Sequence, residues 1–184
     1  LNMKYKSSKE SRVSITQLML PSHSNFSGKI HGGFILNLMD QIAFTCASKH
    51  SRCYCVTASV NKVDFLSPIE VGELVTLKAA VNYTGATSMV VGVRVESEHI
   101  TTGAKKHCNS SYFTMVAKDA NGKNIRVPGL ILETEQGVRR FARSIQRKAE
   151  ASLRSNRFEP SKFIMAEHLE RLKDENVKLN LEVR

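Results

Sequence analysis

Residues 34–49 constrain the fold of this chain more than any other stretch. There Phe34, Ile35, Leu36, Leu38, Met39, Ile42, Ala43, Phe44 and Ala47 cover nearly every side of a helix. A helix that is apolar all round has to be covered by other elements. The cover follows directly in the sequence, as four strand-like runs near 54–65, 72–83, 88–99 and 107–118. These runs are rich in Val, Thr, Tyr and Phe, and are punctuated by Ser67-Pro68, Gly85, Gly103 and Asn121-Gly122. A further strand over Val13–Leu20 precedes the helix, after which Pro21 to His31 reads as a loop. Strand, buried helix and then a meander of long strands predict an α+β fold, one antiparallel sheet wrapped around a central helix. A parallel βαβ sheet is excluded, because no helices separate the later strands.

The 184 residues suffice for one domain with appendages. Residues 1–12 are polar and lysine-rich, with no apolar leader stretch behind them, and are expected to be a disordered, solvated end. The globular domain is assigned to 13–130. No apolar run approaches the roughly 20 residues a membrane span requires. Cys46, Cys53, Cys55 and Cys108 form no CxxC pair and have no matching histidine cluster, so no zinc site is expected. Free thiols in a reducing cytoplasm are expected instead.

The formal charge is +10, and residues 1–130 alone carry 15 basic against 8 acidic side chains. Such a balance suits nucleic acid or a polyphosphorylated small molecule equally well. No aromatic interleaving and no nucleic-acid-binding motif accompanies it.

From Glu133 the pattern changes. Glu135 to Leu153 reads as a basic amphipathic helix within a segment 131–154, followed by the Ser155-Asn156 break. Beyond Pro160, Met165, Leu169, Leu172, Asn176, Leu179 and Val183 fall at alternating spacings of four and three. Residues 155–184 are therefore expected to be a helical tail, either a short coiled coil with Asn176 at an a position or a helix docked on its own domain.

The segment Asn25-Phe26-Ser27-Gly28-Lys29-Ile30-His31-Gly32-Gly33, with Asp40 on the helix behind it, carries the chemistry. A carboxylate among Leu36, Ala43 and Phe44 on a buried helix costs several kcal/mol unless it is partnered, so Asp40 is either a satisfied structural acid or a functional one. Gly32-Gly33 opens the helix, where unsatisfied N–H groups and the positive dipole end suit an oxyanion; equally, the glycines could serve close packing. Gly32 and Asp40 are about 12 Å apart along one helix. That is too far to act on one carbon, and an acid from a neighbouring subunit would remove the difficulty. His31 is read as shaping the loop rather than as a base. His107 and Cys108 are read as strand residues, and Lys105-Lys106 as either steering phosphates or a solvated turn, the second being favoured.

Seen together, these segments resemble the hotdog-fold acyl-CoA thioesterases, particularly the brain-type cytosolic hydrolases and their single-domain bacterial relatives. Asn25…Gly28…His31-Gly32-Gly33, Met39-Asp40, Val56-Thr57-Ala58-Ser59-Val60, Asp64-Phe65-Leu66-Ser67-Pro68, Val71-Gly72-Glu73, Thr87-Ser88-Met89 and Thr102-Gly103-Ala104-Lys105-Lys106 carry the likeness over about residues 13–153. The resemblance implies a hotdog fold that pairs into dimers, usually three such pairs. It implies a thioester site shared by Asn25 of one hotdog, orienting substrate or water, and Asp40 of the other, as base or nucleophile. Gly32 or Gly33 would hold the oxyanion. CoA, which enters as part of substrate and product and not as a cofactor, would lie along Ala58-Ser59-Val60 and Thr87-Ser88-Met89. Arg147 of the C-terminal helix, or Arg143 or Lys148 beside it, would meet its phosphates.

Three other readings compete. A non-enzymatic acyl-CoA sensor is disfavoured by the presence of both Asn25 and Asp40. A hotdog dehydratase or hydratase would need a histidine on the helix, and none lies in 34–49. A nucleic-acid binder rests on charge alone.

Overall fold

The central helix, α1 (Gly32–Ser51), begins where His31 leaves the extended conformation and its ring Nδ1 accepts the Gly33 N–H at 2.9 Å. It ends at Arg52, which adopts the left-handed conformation with φ 60°. In this computed structural model, which describes residues 5–155 together with 164–167, 169 and 176–178, α1 buries one face only. Ile35, Leu38, Met39, Ile42, Ala43, Cys46, Ala47 and His50 are buried, whereas Asn37, Gln41, Phe44 and Thr45 lie exposed in the single chain. All-round apolarity thus met one layer of cover where the sequence asked for two.

That layer is a six-stranded antiparallel sheet. Its strands are β2 (Val13–Leu18), β3 (Tyr54–Val60), β4 (Asp64–Phe65), β5 (Leu74–Thr84), β6 (Ser88–Glu98) and β7 (Lys105–Lys118), in the order β2-β5-β6-β7-β3, with β4 also on β7. Alternate residues of the three long strands face the helix, and Val75, Leu77, Val91, Val95, Phe113 and Met115 are completely buried. Each such side chain contributes about 1.5–3 kcal/mol through burial. This is the α+β hotdog arrangement that the sequence predicts. A second small sheet pairs β1 (Tyr5–Ser7) with β8 (Gly129–Ile131) in parallel, and α2 (Glu135–Ser155) follows. Two compact units divide the chain, Leu1–Ile145 and Gln146–Arg184. The heptad expectation rests on Leu172, Leu179 and Val183, which lie outside the described residues.

Residues 5–12 differ from the expected solvated end. Ser7 accepts the Lys9 N–H while its own N–H donates to Glu10, a capping box on the short 3-10 turn Ser8–Glu10. Beyond it Ser11 is buried against His50 at the end of α1, its Oγ 3.3 Å from His50 Nδ1. His50 Nε2 lies 3.3 Å from the Pro128 carbonyl, and Lys6 Nζ donates to the His50 carbonyl at 2.7 Å. One buried imidazole thereby ties the N-terminal strap, α1 and the segment leading to β8 together. Lys106, expected to be solvated, instead pairs at 2.9 Å with Glu73, which is 5% exposed. Burial raises the Glu73 pKa, but hydrogen bonds from Lys106, the Glu70 amide and Ser97 outweigh it and hold the carboxyl below its usual range. The four cysteines are free thiols, and burial pushes that of Cys46 up to about 12.

Two predictions follow from these anchor points. Burial lowers the His50 pKa, the Pro128 carbonyl opposes this and Lys6 adds to it. The folded state therefore favours the neutral ring, and its contribution is fully present above pH 6.5, the ordinary value, and lost as pH falls through the lower folded value. The melting temperature should drop on acidification below about pH 6.5, and His50→Gln should flatten that slope; an unchanged slope would assign the acid sensitivity elsewhere. At the other end of α1, His31→Ala should lower the unfolding free energy in urea by about 1 kcal/mol. His31→Asn should recover most of it, whereas equal stability of all three proteins would show that the cap contributes nothing.

Candidate active site

Asp40 lies two turns into α1, adjacent to the fully buried Met39, at the margin between the helix's buried and exposed faces. It is half-buried, not stranded: the Thr57 hydroxyl donates to its Oδ1 at 2.6 Å. Thr57 belongs to β3 and shares a cross-strand row with Met115 of β7 and Met89 of β6. Its hydroxyl also lies 3.5 Å from the Met115 sulfur. Sequence reasoning matched Thr57 within a longer motif and gave it no role. The cue was a hydroxyl residue among apolar strand neighbours, but its direction depends on a register shift between Thr57 and Ser59 that no periodicity reveals. That bulge at Ala58 keeps Thr57 and Val60 on the helix side, while Ser59, opposite Thr114, turns to the outer side. Strand β3 forms one border of the sheet, and Thr57, Ala58, Ser59 and Val60 are all exposed.

Asn25 sits on the loop before α1. Its Oδ1 accepts from the Ser27 amide at 2.9 Å, the Ser27 hydroxyl at 2.7 Å and the Lys29 amide at 3.2 Å. One end of the carboxamide therefore holds the loop, and the exposed Nδ2 donates to nothing among the described residues. Within one chain no contact joins Asn25 to Asp40. The two glycines also separate. The Gly33 N–H is taken by His31, whereas that of Gly32 has no acceptor among the described residues. The Phe65 ring of β4 lies over Gly32, where an added Cβ would come within 3.1 Å of it.

Of the residues expected along CoA, Thr87 and Ser88 lie at the turn between β5 and β6, two strands from Ser59, about 10 Å across the sheet. Met89 is a correction: it is completely buried, so its side chain belongs to the core and not to a ligand surface. Arg147 sits on α2 within the second unit. His107 bonds its own strand, its Nε2 3.0 Å from the Asn109 carbonyl and 2.8 Å from the Ser110 hydroxyl. Among the described residues no three metal-ligating side chains cluster, and no helix is long and apolar enough to cross a membrane. A carboxylate oriented by a hydroxyl can take a proton from water, and an unsatisfied N–H at a helix start can hold a developing oxyanion.

The fold matches that of known proteins. The thioesterase superfamily model matches residues 27–104. The uncharacterized acyl-CoA thioester hydrolase YkhA of Bacillus subtilis is 38% identical over 149 residues, 81% of this chain and 85% of YkhA. The crystal structure of an apo-hexameric acyl-CoA thioesterase superposes with a TM-score of 0.82 at 37% identity, over 84% of this chain and 99% of that one. A Staphylococcus aureus acyl-CoA hydrolase in complex with butyryl-CoA, CoA and CoA disulfide gives 0.77 at 32% identity, covering 82% and 92%. The same Staphylococcus aureus enzyme has also been solved with an aspartate, a threonine or an asparagine replaced by alanine. With such likeness over more than four-fifths of its length, the chain belongs to the hotdog acyl-CoA thioester hydrolases of the thioesterase superfamily.

Proposed function

We propose that this protein hydrolyses acyl-CoA to a free carboxylic acid and CoA, at a site that Asn25 and Asp40 build from two subunits. The observation that carries the reading is the Thr57 hydroxyl on the Asp40 carboxylate, at the open border of the sheet. The spacing of the Staphylococcus aureus variants supports it. There the asparagine precedes the aspartate by 15 residues and the threonine follows it by 17, as Asn25, Asp40 and Thr57 do here.

Asp40 acts as the base. It takes a proton from a water molecule, whose oxygen attacks the thioester carbon, and Thr57 fixes which carboxylate oxygen faces that water. The Gly32 N–H, unlike that of Gly33, is available for the tetrahedral oxyanion. Collapse breaks the C–S bond, and the proton held by Asp40 passes to the CoA sulfur. Asn25 orients water or substrate through its Nδ2, since its Oδ1 is committed to the loop. CoA runs along Ala58-Ser59-Val60 and the Thr87-Ser88 turn. The bulge at Ala58 suits a ligand that passes around the sheet border, acyl end on the helix side and CoA end outside. CoA is consumed and released, and no separate cofactor takes part.

Pairing through β3 completes the site. That strand lacks a neighbour on one side among the described residues, and exposed Phe44, Tyr54, Phe65 and Leu66 surround it. Unpaired strands and exposed apolar clusters of this kind mark interaction surfaces. Three such dimers would give the hexamer seen in the related thioesterase, working in the cytoplasm on acyl-CoA, not on nucleic acid. The dehydratase reading loses its base. The histidine at the end of α1, His50, is buried and bonded to Ser11 and Pro128.

Asp40→Asn should lower kcat by about 10²–10⁴-fold in a protein that melts near the wild-type temperature, read by free-thiol release from a series of acyl-CoAs. Thr57→Val should lose less and Thr57→Ser should recover it. A well-folded Asp40→Asn protein within a few-fold of wild type would remove Asp40 from the mechanism.

The shared site has its own signature. Chains carrying Asn25→Ala and chains carrying Asp40→Ala should each be inactive, and mixed chains refolded together should regain activity. A mixed dimer has one doubly defective site and one intact site, so random pairing restores about a quarter of the wild-type sites. Mixed dimers confirmed by mass but inactive would overturn the two-subunit site.

A further inference from the structure

A recess far from Asp40 supplies no group to the proposed bond-breaking step. It lies between Ala80–Asn82 of β5, the strap of residues 8–12, residues 130–134 and the first turn of α2. Strand β5 is three strands from β3, about 14 Å across the sheet. We infer that this recess binds a phosphate group of a small phosphorylated ligand.

Three independent features converge there. The first is charge. Arg12 and Arg140 line the recess, and neither enters an ion pair or a side-chain hydrogen bond among the described residues. Lys9 also lines it, paired at 3.5 Å with Glu133, the carboxylate in the recess. Glu133 is further held by the Ser7 hydroxyl; that bond, with Lys9 and then Arg12 adding their charges, keeps its pKa below the usual range against the opposing effect of desolvation. Three cations against one carboxylate leave two positive charges facing the space.

The second feature is the start of α2. Thr134 accepts the Gly137 N–H through its hydroxyl and the Val138 N–H through its carbonyl, both at 3.1 Å. The N–H groups of Glu135 and Gln136 have no acceptor among the described residues. With the positive dipole end they form a ready donor set for an anion.

The third is Asn82, which points to a ligand without reference to charge. It is only 6% exposed, lines the recess and makes no side-chain hydrogen bond among the described residues. Its carboxamide therefore has hydrogen-bonding capacity left for a ligand in the recess. The register shift between Val81 and Tyr83 breaks the alternation of β5, so Val81 and Asn82 are both buried. Gly92 on the neighbouring strand leaves the room, since a Cβ there would come within 2.2 Å of Asn82 Nδ2. An amide donor, two guanidinium groups and free helix N–H groups are the partners a phosphate takes.

Two sources carry that chemistry: a free phosphorylated metabolite, or the 3′-phosphate of CoA. The test uses the full chain. Titration calorimetry with inorganic pyrophosphate, at ionic strength matched with NaCl, should show saturable binding. The double variant Arg12→Gln/Arg140→Gln, altered only at partly or fully exposed side chains, should weaken it at least about tenfold, and Asn82→Leu should do the same. Absence of saturable binding in the wild type, or equal binding by the double variant, would overturn the site. The source is then read from KM values for butyryl-CoA and its 3′-dephospho form. A rise for the first substrate alone in the double variant upholds the site as a reader of CoA, and no change for either upholds it as a site for a separate metabolite.

Discussion

Everything at the candidate active site depends on how α1 is rotated against its sheet. Met39, Ile42, Ala43 and Cys46 are pinned against β5, β6 and β7 with no exposure to solvent beyond 1%. Successive helical residues differ by about 100°, so fixing Met39 inward places Asp40 at the margin of the buried face, turned toward β3. A change of rotation large enough to move Asp40 would pull several of these side chains from a close-packed core, at about 1.5–3 kcal/mol each. The packing that stabilises the fold and the aim of the carboxylate are therefore one constraint.

The same constraint leaves the single chain unfinished on the other side. Asn37, Gln41 and Phe44 extend the Asp40 side of α1 outward, and Phe44 meets Tyr54 edge to face at 5.7 Å between ring centres. Asn25 commits its oxygen to its own loop and offers only its amide nitrogen. A helix apolar on more sides than its own sheet can cover, and a border strand exposed from Thr57 to Val60, are two views of one deficit. The proposed pairing of a second copy across β3 would cover both.

The elements legible in the sequence were those with enough residues to show a period: α1, the three long strands β5, β6 and β7, and most of α2, whereas the run expected over 54–65 is broken into β3 and β4. The parallel pair β1 and β8 has three residues each, too few for any alternation, and its anchor is a single histidine, His50, that reads like a helix-end residue. The capping box at Ser7 and Glu10 was readable but sat in a lysine-rich stretch whose composition argued for a solvated end. At the site, Asn25, Asp40 and Gly32 were legible as residue types in a pattern. Thr57 was not, because a bulge decides which way it points. Met89 was misplaced because a motif at a turn does not say which of its side chains enters the core. Asn82 carried no signal at all, since its meaning depends on a register shift and on Gly92 across the strand.

Charge pairing sets Asp40 apart from the other acids of the sheet region. Asp64 pairs with Lys62, Glu70 with Lys29, Glu73 with Lys106 and Glu98 with Lys105. Glu96 meets Lys78 at 2.6 Å and Arg94 at 2.7 Å, which hold its pKa down to about 2. In Glu96 the two cations take one carboxylate oxygen each. Asp40 instead has a neutral hydroxyl on one oxygen and no ion pair among the described residues. Its second oxygen accepts no hydrogen bond among the described residues. The basic excess of the chain follows from the same arrangement. Once these acids are paired, positive charge is left in excess elsewhere, as where Arg12, Arg140 and Lys9 share the single carboxylate of Glu133 beside the start of α2. Asp40 thus stands clear of ion pairs among the described residues, while in the recess beside α2 three cations outnumber one carboxylate.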